Sequence, residues 1–208
     1  MKIKSKLIYG IGGILGIFVF TSLLTISNID DVRDISEQTT NESVPGAMIA
    51  ADTKFQSCQI QQFVTDGSLT QDLASIKEAQ EAYDKLIRDM DYFEKVHKEA
   101  NEQDDLKKVA KIKEKAKNLL ENGKKMVSSY AKSKEEGDKL MEEVDADSSE
   151  LADLIDELKE AQANEAILNS KTTFNKATSI FNILVVMSLI GIIIGIIIGL
   201  LIVRQIGS

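Results

Sequence analysis

The side chains able to do chemistry are few. The chain holds one histidine, His97, and one cysteine, Cys58. It has no GxSxG elbow, no P-loop and no HExxH pair. Covalent haem attachment needs Cys-x-x-Cys-His, which is absent. The sequence therefore predicts no catalytic, cofactor-binding or metal-binding residue, and no enzyme. Cys58 reads either as a small buried hydrophobe on a helix seam or, in an oxidising compartment, as a disulfide or redox residue. His97 reads as a helix-terminal residue whose positive form suits the helix dipole. As a metal ligand it needs convergent partners; Glu94 and Asp91 stand at helical spacing from it, in a stretch where acids abound. The amides Gln56, Gln59, Gln61 and Gln62 crowd one stretch. They either form a solvated helix face or bind a polar ligand, and Gln56, Gln59 and Gln62 are the ligand-binding candidates.

The elements that must position these residues are helices. One proline, no tryptophan and few aromatics argue against a β-sandwich or barrel. The middle of the chain has the Ala, Glu, Lys, Leu and Gln content of long helices. Hydrophobicity concentrates in two uncharged runs. Leu7 to Ile26 and Ile183 to Val203 are each long enough to cross a hydrocarbon core of ~30 Å. Lys2, Lys4 and Lys6 precede the first run and Arg204 follows the second. The positive-inside rule then predicts two passes through the cell (inner) membrane with both termini cytoplasmic. A cleaved signal peptide is the rival reading of the first run, with Thr25-Ile26-Ser27 as a weak cleavage site. The predicted segments are a basic start (1–6), a transmembrane helix (7–27), an extracytoplasmic domain (28–179), a second transmembrane helix (180–203) and a short cytoplasmic end (204–208). All 33 acidic residues fall in 28–179 against 21 basic ones, a net charge of −12. So acidic a segment is no partner for nucleic acid. Gly12 and Gly16 in the first run, and Gly191, Gly195 and Gly199 in the second, recur every four residues. They predict a smooth helix face for packing in the bilayer, within one chain or across a dimer, or reflect ordinary glycine tolerance there.

Four helices are predicted in 28–179, making an all-α, membrane-anchored, antiparallel up-down-up-down four-helix bundle. The first covers about 28–66, with Val44, Met48, Ala51, Phe55 and Cys58 as its buried seam. Pro45 and Gly46 predict a kink or short break in it, and Asp66-Gly67-Ser68 its end. The second covers about 70–98, with Leu73, Ile76, Gln80, Tyr83, Ile87 and Met90 as seam. Residues 99–104 read as a turn. The third covers about 105–134, with Leu106, Val109, Ala116, Leu120, Val127 and Tyr130 as seam and Lys113 and Gly123 as weak positions. A turn at Ser133 to Gly137 is preferred, with Asp145 to Ser149 as the alternative. The fourth starts near Asp138, carries Leu140, Val144, Leu151, Leu154, Leu158 and Ala161, and runs unbroken into the second apolar run. A core thin in leucine favours a homodimer through the first or fourth helix.

This order resembles the input half of bacterial methyl-accepting chemotaxis proteins with a four-helix-bundle sensor domain. Glu42-Ser43-Val44-Pro45-Gly46-Ala47 is similar to that family's break in its first helix, and Glu136-Gly137-Asp138 to its turn before the fourth. Val203-Arg204-Gln205-Ile206-Gly207-Ser208 resembles the opening of a HAMP linker. The resemblance implies a transmembrane chemoreceptor input module. It would sense a small-molecule or protein ligand outside and signal through the second transmembrane helix to a cytoplasmic signalling region or kinase complex. It also implies that the chain is the amino-terminal part of a longer receptor or a truncated product. The same input half occurs on sensor histidine kinases and cyclic-nucleotide signalling enzymes; a non-signalling structural membrane protein is the alternative from another class. Family members that bind amino acids hold the carboxylate with arginines. Only Arg33 and Arg88 lie in 28–179, neither in the glutamine-rich stretch, which counts against that ligand.

Overall fold

The computed structural model describes the backbone of residues 3–206 and the side chains of 8–201, 203 and 204. Parts of the basic start (1–6) and of the HAMP-like end (204–208) therefore lie outside the described residues. Within them the chain is all helical, with no strand. The elements are α1 (Ile3–Gln38), a π-helical turn (Thr39–Ser43), α2 (Val44–Thr70), α3 (Leu73–Glu99), α4 (Gln103–Tyr130) and α5 (Lys134–Ile206). Two compact units result. One combines the chain up to Asn41 with the chain from Ile167; the other is Glu42–Ala166.

In the Glu42–Ala166 unit, α2, α3 and α4 pack on one another in all three pairings. The α5 residues Val144, Leu151, Ile155 and Leu158 join the same core, so four helical segments share it. Polar pairs run along the contact of α5 with α2 and the π turn before it. Ser43 Oγ donates to Glu165 (2.9 Å), Lys54 Nζ to Asp156 (2.6 Å), and Gln61 Nε2 to Asp145 (3.2 Å). As the α2 residue number rises, that of its α5 partner falls.

The connections are short because local chemistry ends each helix. Gln71 takes a left-handed conformation (φ 56°) at the end of α2, and the Asp72 carboxylate then accepts from the Ala74 N–H (2.9 Å), capping α3. The predicted stop at Gly67 is corrected: Gly67 is helical and buried, and a Cβ there would stand 3.2 Å from Ile76 Cδ1. Asn101 (φ 58°) turns the chain between α3 and α4; asparagine tolerates this region better than most residues. The last turn comes at Ala131–Ser133, and Gly137 and Asp145 to Ser149 are all helical. Gly137 lies beneath the Tyr130 ring, whose hydroxyl donates to Asp138 (2.7 Å).

The structure places the π turn just before Pro45, with Val44 between them. Proline lacks the N–H that an α-turn uses and clashes with the carbonyl four residues back; a wider turn accommodates both. Gly46 is not part of a break. It is helical and buried, and an added Cβ would collide with the Gln162 amide.

The seams of α4 and α5 lie largely where the spacing puts them: Val109, Ala116, Leu120, Val127, Val144, Leu151 and Leu158 are buried, Leu106, Tyr130, Leu140 and Leu154 are half-buried, and Ala161 is exposed, which corrects its place on the seam. The α2 seam is rotated from prediction; that of α3 is shifted, with the predicted Met90 still buried and Ile76, Gln80, Tyr83 and Ile87 half-buried. In α2 the buried row is Gly46, Ala50, Thr53, Ser57, Ile60 and Val64, while Val44, Met48, Ala51, Phe55 and Cys58 are exposed. In α3 the centre is Ala79, Ala82, Leu86, Met90, Phe93 and His97, and Leu73 is 78% exposed. Small residues let neighbouring backbones approach closely, so in α2 the face with the smaller side chains is the buried one.

In the other unit the apolar side chains of α1 and the second half of α5 are largely exposed, Phe18, Leu23, Phe181 and Leu200 among them. Both apolar runs are helical and long enough to cross a membrane. Lys176 Nζ donates to Asp31 (2.7 Å). A Cβ at Gly12, Gly16, Gly191, Gly195 or Gly199 would meet nothing within 4 Å, whereas one at Gly10 would stand 3.0 Å from Ile198 Cγ2. Four-residue spacing marks a smooth face and does not say what covers it.

Candidate functional site

A groove of about 180 Å³ lies between α2 and α3. Phe55 and Phe63 supply aromatic surface, Gln56 and Gln59 amides, and Glu78, Glu81 and Lys85 charge. Two of the three glutamines singled out by sequence meet here. Gln56 is buried and its amide reaches Asp52 (3.3 Å). Gln59 Nε2 donates to Gln62 Oε1 (3.2 Å) at the surface, and Gln62 is outside the groove lining. Gln61 faces α5 instead, where its carbonyl accepts from Ser148 Oγ (2.7 Å).

Beside the groove Asp89 of α3 faces the buried Thr53 of α2. The Thr53 hydroxyl has one proton, and its geometry serves the Ile49 carbonyl (2.9 Å) better than Asp89 Oδ2 (3.3 Å). A protonated Asp89 can donate to the same hydroxyl. Burial pushes the Asp89 carboxyl up to about 6, and the Asp52 charge adds to the push; Thr53 and Arg88 oppose it. An unfolded aspartate titrates near 3.9. Between those values the folded chain holds a proton that the unfolded chain has lost. Stability is therefore greatest below the window and falls as pH rises through it. We expect Asp89→Asn to raise the melting temperature at pH 7 by about 2–4 °C, or about 1 kcal/mol after allowing for solvent screening. The difference should vanish near pH 4, and an equal difference at both pH values would rule the assignment out.

Asp91 and Glu94 do not converge on His97. Both bind Lys113 of α4, Asp91 at 2.6 Å, and Glu94 also binds Lys98. The two ammonium groups hold the Glu94 carboxyl down at about 2. Burial lowers the Lys113 ammonium, but the hydrogen bonds it donates to Asp91 and Glu94 outweigh it and the net shift is upward. The remaining helix pairs are mostly exposed, such as Lys77–Glu81 and Lys117–Glu121, and each is worth about 0.3–0.5 kcal/mol.

His97 is the last buried residue of α3, 6% exposed, with its ring stacked on Phe93 (centroids 6.1 Å apart, 18° between planes). Glu102 Oε2 lies 2.7 Å from His97 Nδ1, and the Glu102 N–H donates to the His97 carbonyl (2.9 Å). A carboxylate only accepts, so with Glu102 ionised the proton sits on Nδ1. His97 Nε2 is buried and has no hydrogen-bond partner among the described residues, an arrangement that costs about 1–3 kcal/mol. Asp105, in the first turn of α4, completes a group whose ligand atoms all lie within 4.8 Å of one another. Sequence reading missed this trio because the turn at Asn101, not helical spacing, brings its members together. Cys58 is exposed and has no disulfide, which corrects its placement on a buried seam.

No family model, no curated protein and no solved structure matches this chain.

Proposed function

We propose that the chain is the input module of a transmembrane receptor of the chemoreceptor type. A ligand bound to an extracytoplasmic, up-down-up-down four-helix bundle would bias a conformational signal passed to the cytoplasm through α5. The observation that carries this reading is α5 itself, one unbroken helix of 73 residues. Its Val144, Leu151, Ile155 and Leu158 belong to the bundle core, and its far end is a charge-free apolar run. A continuous helix with one end in a packed core and the other in a bilayer offers a path for a small slide or rotation. A ligand shifts such an equilibrium only by its difference in affinity for the two states.

Three further features support the reading. Two- and three-residue connections join α2 to α3, α3 to α4 and α4 to α5, as antiparallel neighbours require. The exposed apolar side chains of α1 and late α5 are far too many for a surface in water, and a bilayer solvates them. The exposed Val44, Met48 and Phe55 row on α2 suits a homodimer. The groove with Gln56 and Gln59 is the place for a small polar ligand.

The test joins residues 1–208 to the cytoplasmic half of a chemotaxis receptor of known kinase output. One alanine inserted after Ser170 rotates everything downstream by about 100° and should shift the resting output several-fold. A membrane-impermeant maleimide applied to intact cells should label Cys58. Output unchanged by the insertion would favour a structural membrane protein, and labelling of Cys58 only after lysis would overturn the topology.

A further inference from the structure

We propose that the α3–α4 turn is a divalent-cation site, with His97, Glu102 and Asp105 as ligands and a zinc-class ion as the occupant. One imidazole and two carboxylates are a donor set that borderline-soft ions accept, with water completing the shell. The three ligand atoms already lie within 4.8 Å of one another. Donors about 2.0–2.2 Å from a tetrahedral ion stand roughly 3.3 Å apart, so side-chain adjustment alone closes the site.

The trio is more than a chance meeting of acids. The His97 ring is nine-tenths buried and stacked on Phe93, so its plane is fixed before any ion arrives. Glu102 is tied to His97 by its main chain as well as its side chain. Nε2, the ring nitrogen that does not face Glu102, has no partner among the described residues. With nothing bound at Nε2, the ring proton can move there and leave the Nδ1 lone pair to a cation without breaking any other hydrogen bond. The position facing Glu102 Oε2 then passes from a proton to a metal ion. Asp105, half-buried where Glu102 is exposed, is the third ligand. Its Oδ1 accepts from Lys108 (2.7 Å), so the ion replaces one positive charge beside that carboxylate with another. The ion would clasp the last turn of α3 to the first turn of α4. The site stands whether or not the chain signals.

The test uses the full chain in lipid nanodiscs, stripped with a chelator and titrated with Co²⁺, then with Zn²⁺. One Co²⁺ per chain should bind and show visible d–d bands that Zn²⁺ abolishes, and Zn²⁺ should raise the melting temperature. Glu102→Gln and Asp105→Asn, which keep side-chain size, should each weaken binding at least tenfold, and His97→Gln should remove the bands. Glu94→Gln, at an acid already committed to Lys113 and Lys98, should change nothing. Circular dichroism establishes that each variant is folded. Absence of visible bands in the unaltered chain, or an affinity indifferent to Glu102→Gln and Asp105→Asn, overturns the proposal.

Discussion

Phe93→Ala is expected to remove about 3–5 kcal/mol from the stability of the bundle, the usual cost of emptying an aromatic core site. Phe93 is 1% exposed and heads the fully buried side chains by volume. Tyr92 meets its ring edge-on (centroids 5.4 Å, 78°), His97 stacks on it, and Gly46 brings α2 close to its Cε1. None of these neighbours can swing into the space that alanine would leave: two are rings fixed on the same helix and the third is backbone. A domain of this kind has roughly 5–15 kcal/mol in total, so the loss is a large share of it. The matched control is Leu73→Ala. Leu73 belongs to the α3 seam that spacing predicts, yet its exposure means a change within about 0.5 kcal/mol. Chemical denaturation followed by circular dichroism separates the two. Equal losses would mean that the buried face of α3 is the predicted one and that the observed shift is wrong.

Gly123→Ala is expected to destabilise the bundle although alanine is the better helix former. A Cβ at Gly123 would lie 2.5 Å from Val64 Cγ1 and 2.7 Å from Val64 Cβ. Valine is stiff at χ1, and its Cβ cannot move without its backbone, so α2 and α4 must separate. Overpacking of this kind costs about 1–3 kcal/mol, against roughly 1 kcal/mol gained in helix propensity. Gly123→Leu should prevent a packed fold. The decisive variant is the double substitution Gly123→Ala with Val64→Ala, which removes the obstructing methyls. It should be less destabilised than the two single costs imply, with a coupling of about 0.5–3 kcal/mol. Strictly additive losses would show that the two residues do not meet.

Gly123 also shows where the sequence was legible and where it was not. In α4 the large apolar residues fall on one face, so Val109, Ala116, Leu120 and Val127 announce the buried side. The same regularity places the core residues of α5. In α2 the apolar residues do not gather on one face. Val44, Met48, Phe55 and Cys58 make one plausible row, and Gly46, Ala50, Thr53, Ser57, Ile60 and Val64 make another. Hydrophobicity alone prefers the first. The fold buries the second, because its small residues let α2 approach the other helices and because Thr53 can satisfy its hydroxyl within its own helix. In α3 the shift is smaller: Tyr83 and Ile87 still pack partly against the core while Ala79, Ala82 and Leu86 fill its centre.

Local patterns along the chain settle that it is helical, where its helices end to within a few residues, and that two of its helical stretches are apolar enough for a bilayer. Those properties follow from local propensity and from runs of charge or its absence, which need no partner to be expressed. Which faces of α2 and α3 are buried followed from the packing of the helices on one another. The same is true of the separate surroundings of Gln56, Gln61 and Gln62, and of the pairing of Asp91 and Glu94 with Lys113 and not with His97. The fold alone assembled His97, Glu102 and Asp105, through a left-handed residue in a three-residue turn. Each of these is set by what stands opposite a side chain. Neighbours across a helix–helix contact are fixed by how closely two backbones approach, a property of the pair that neither helix carries in its own spacing.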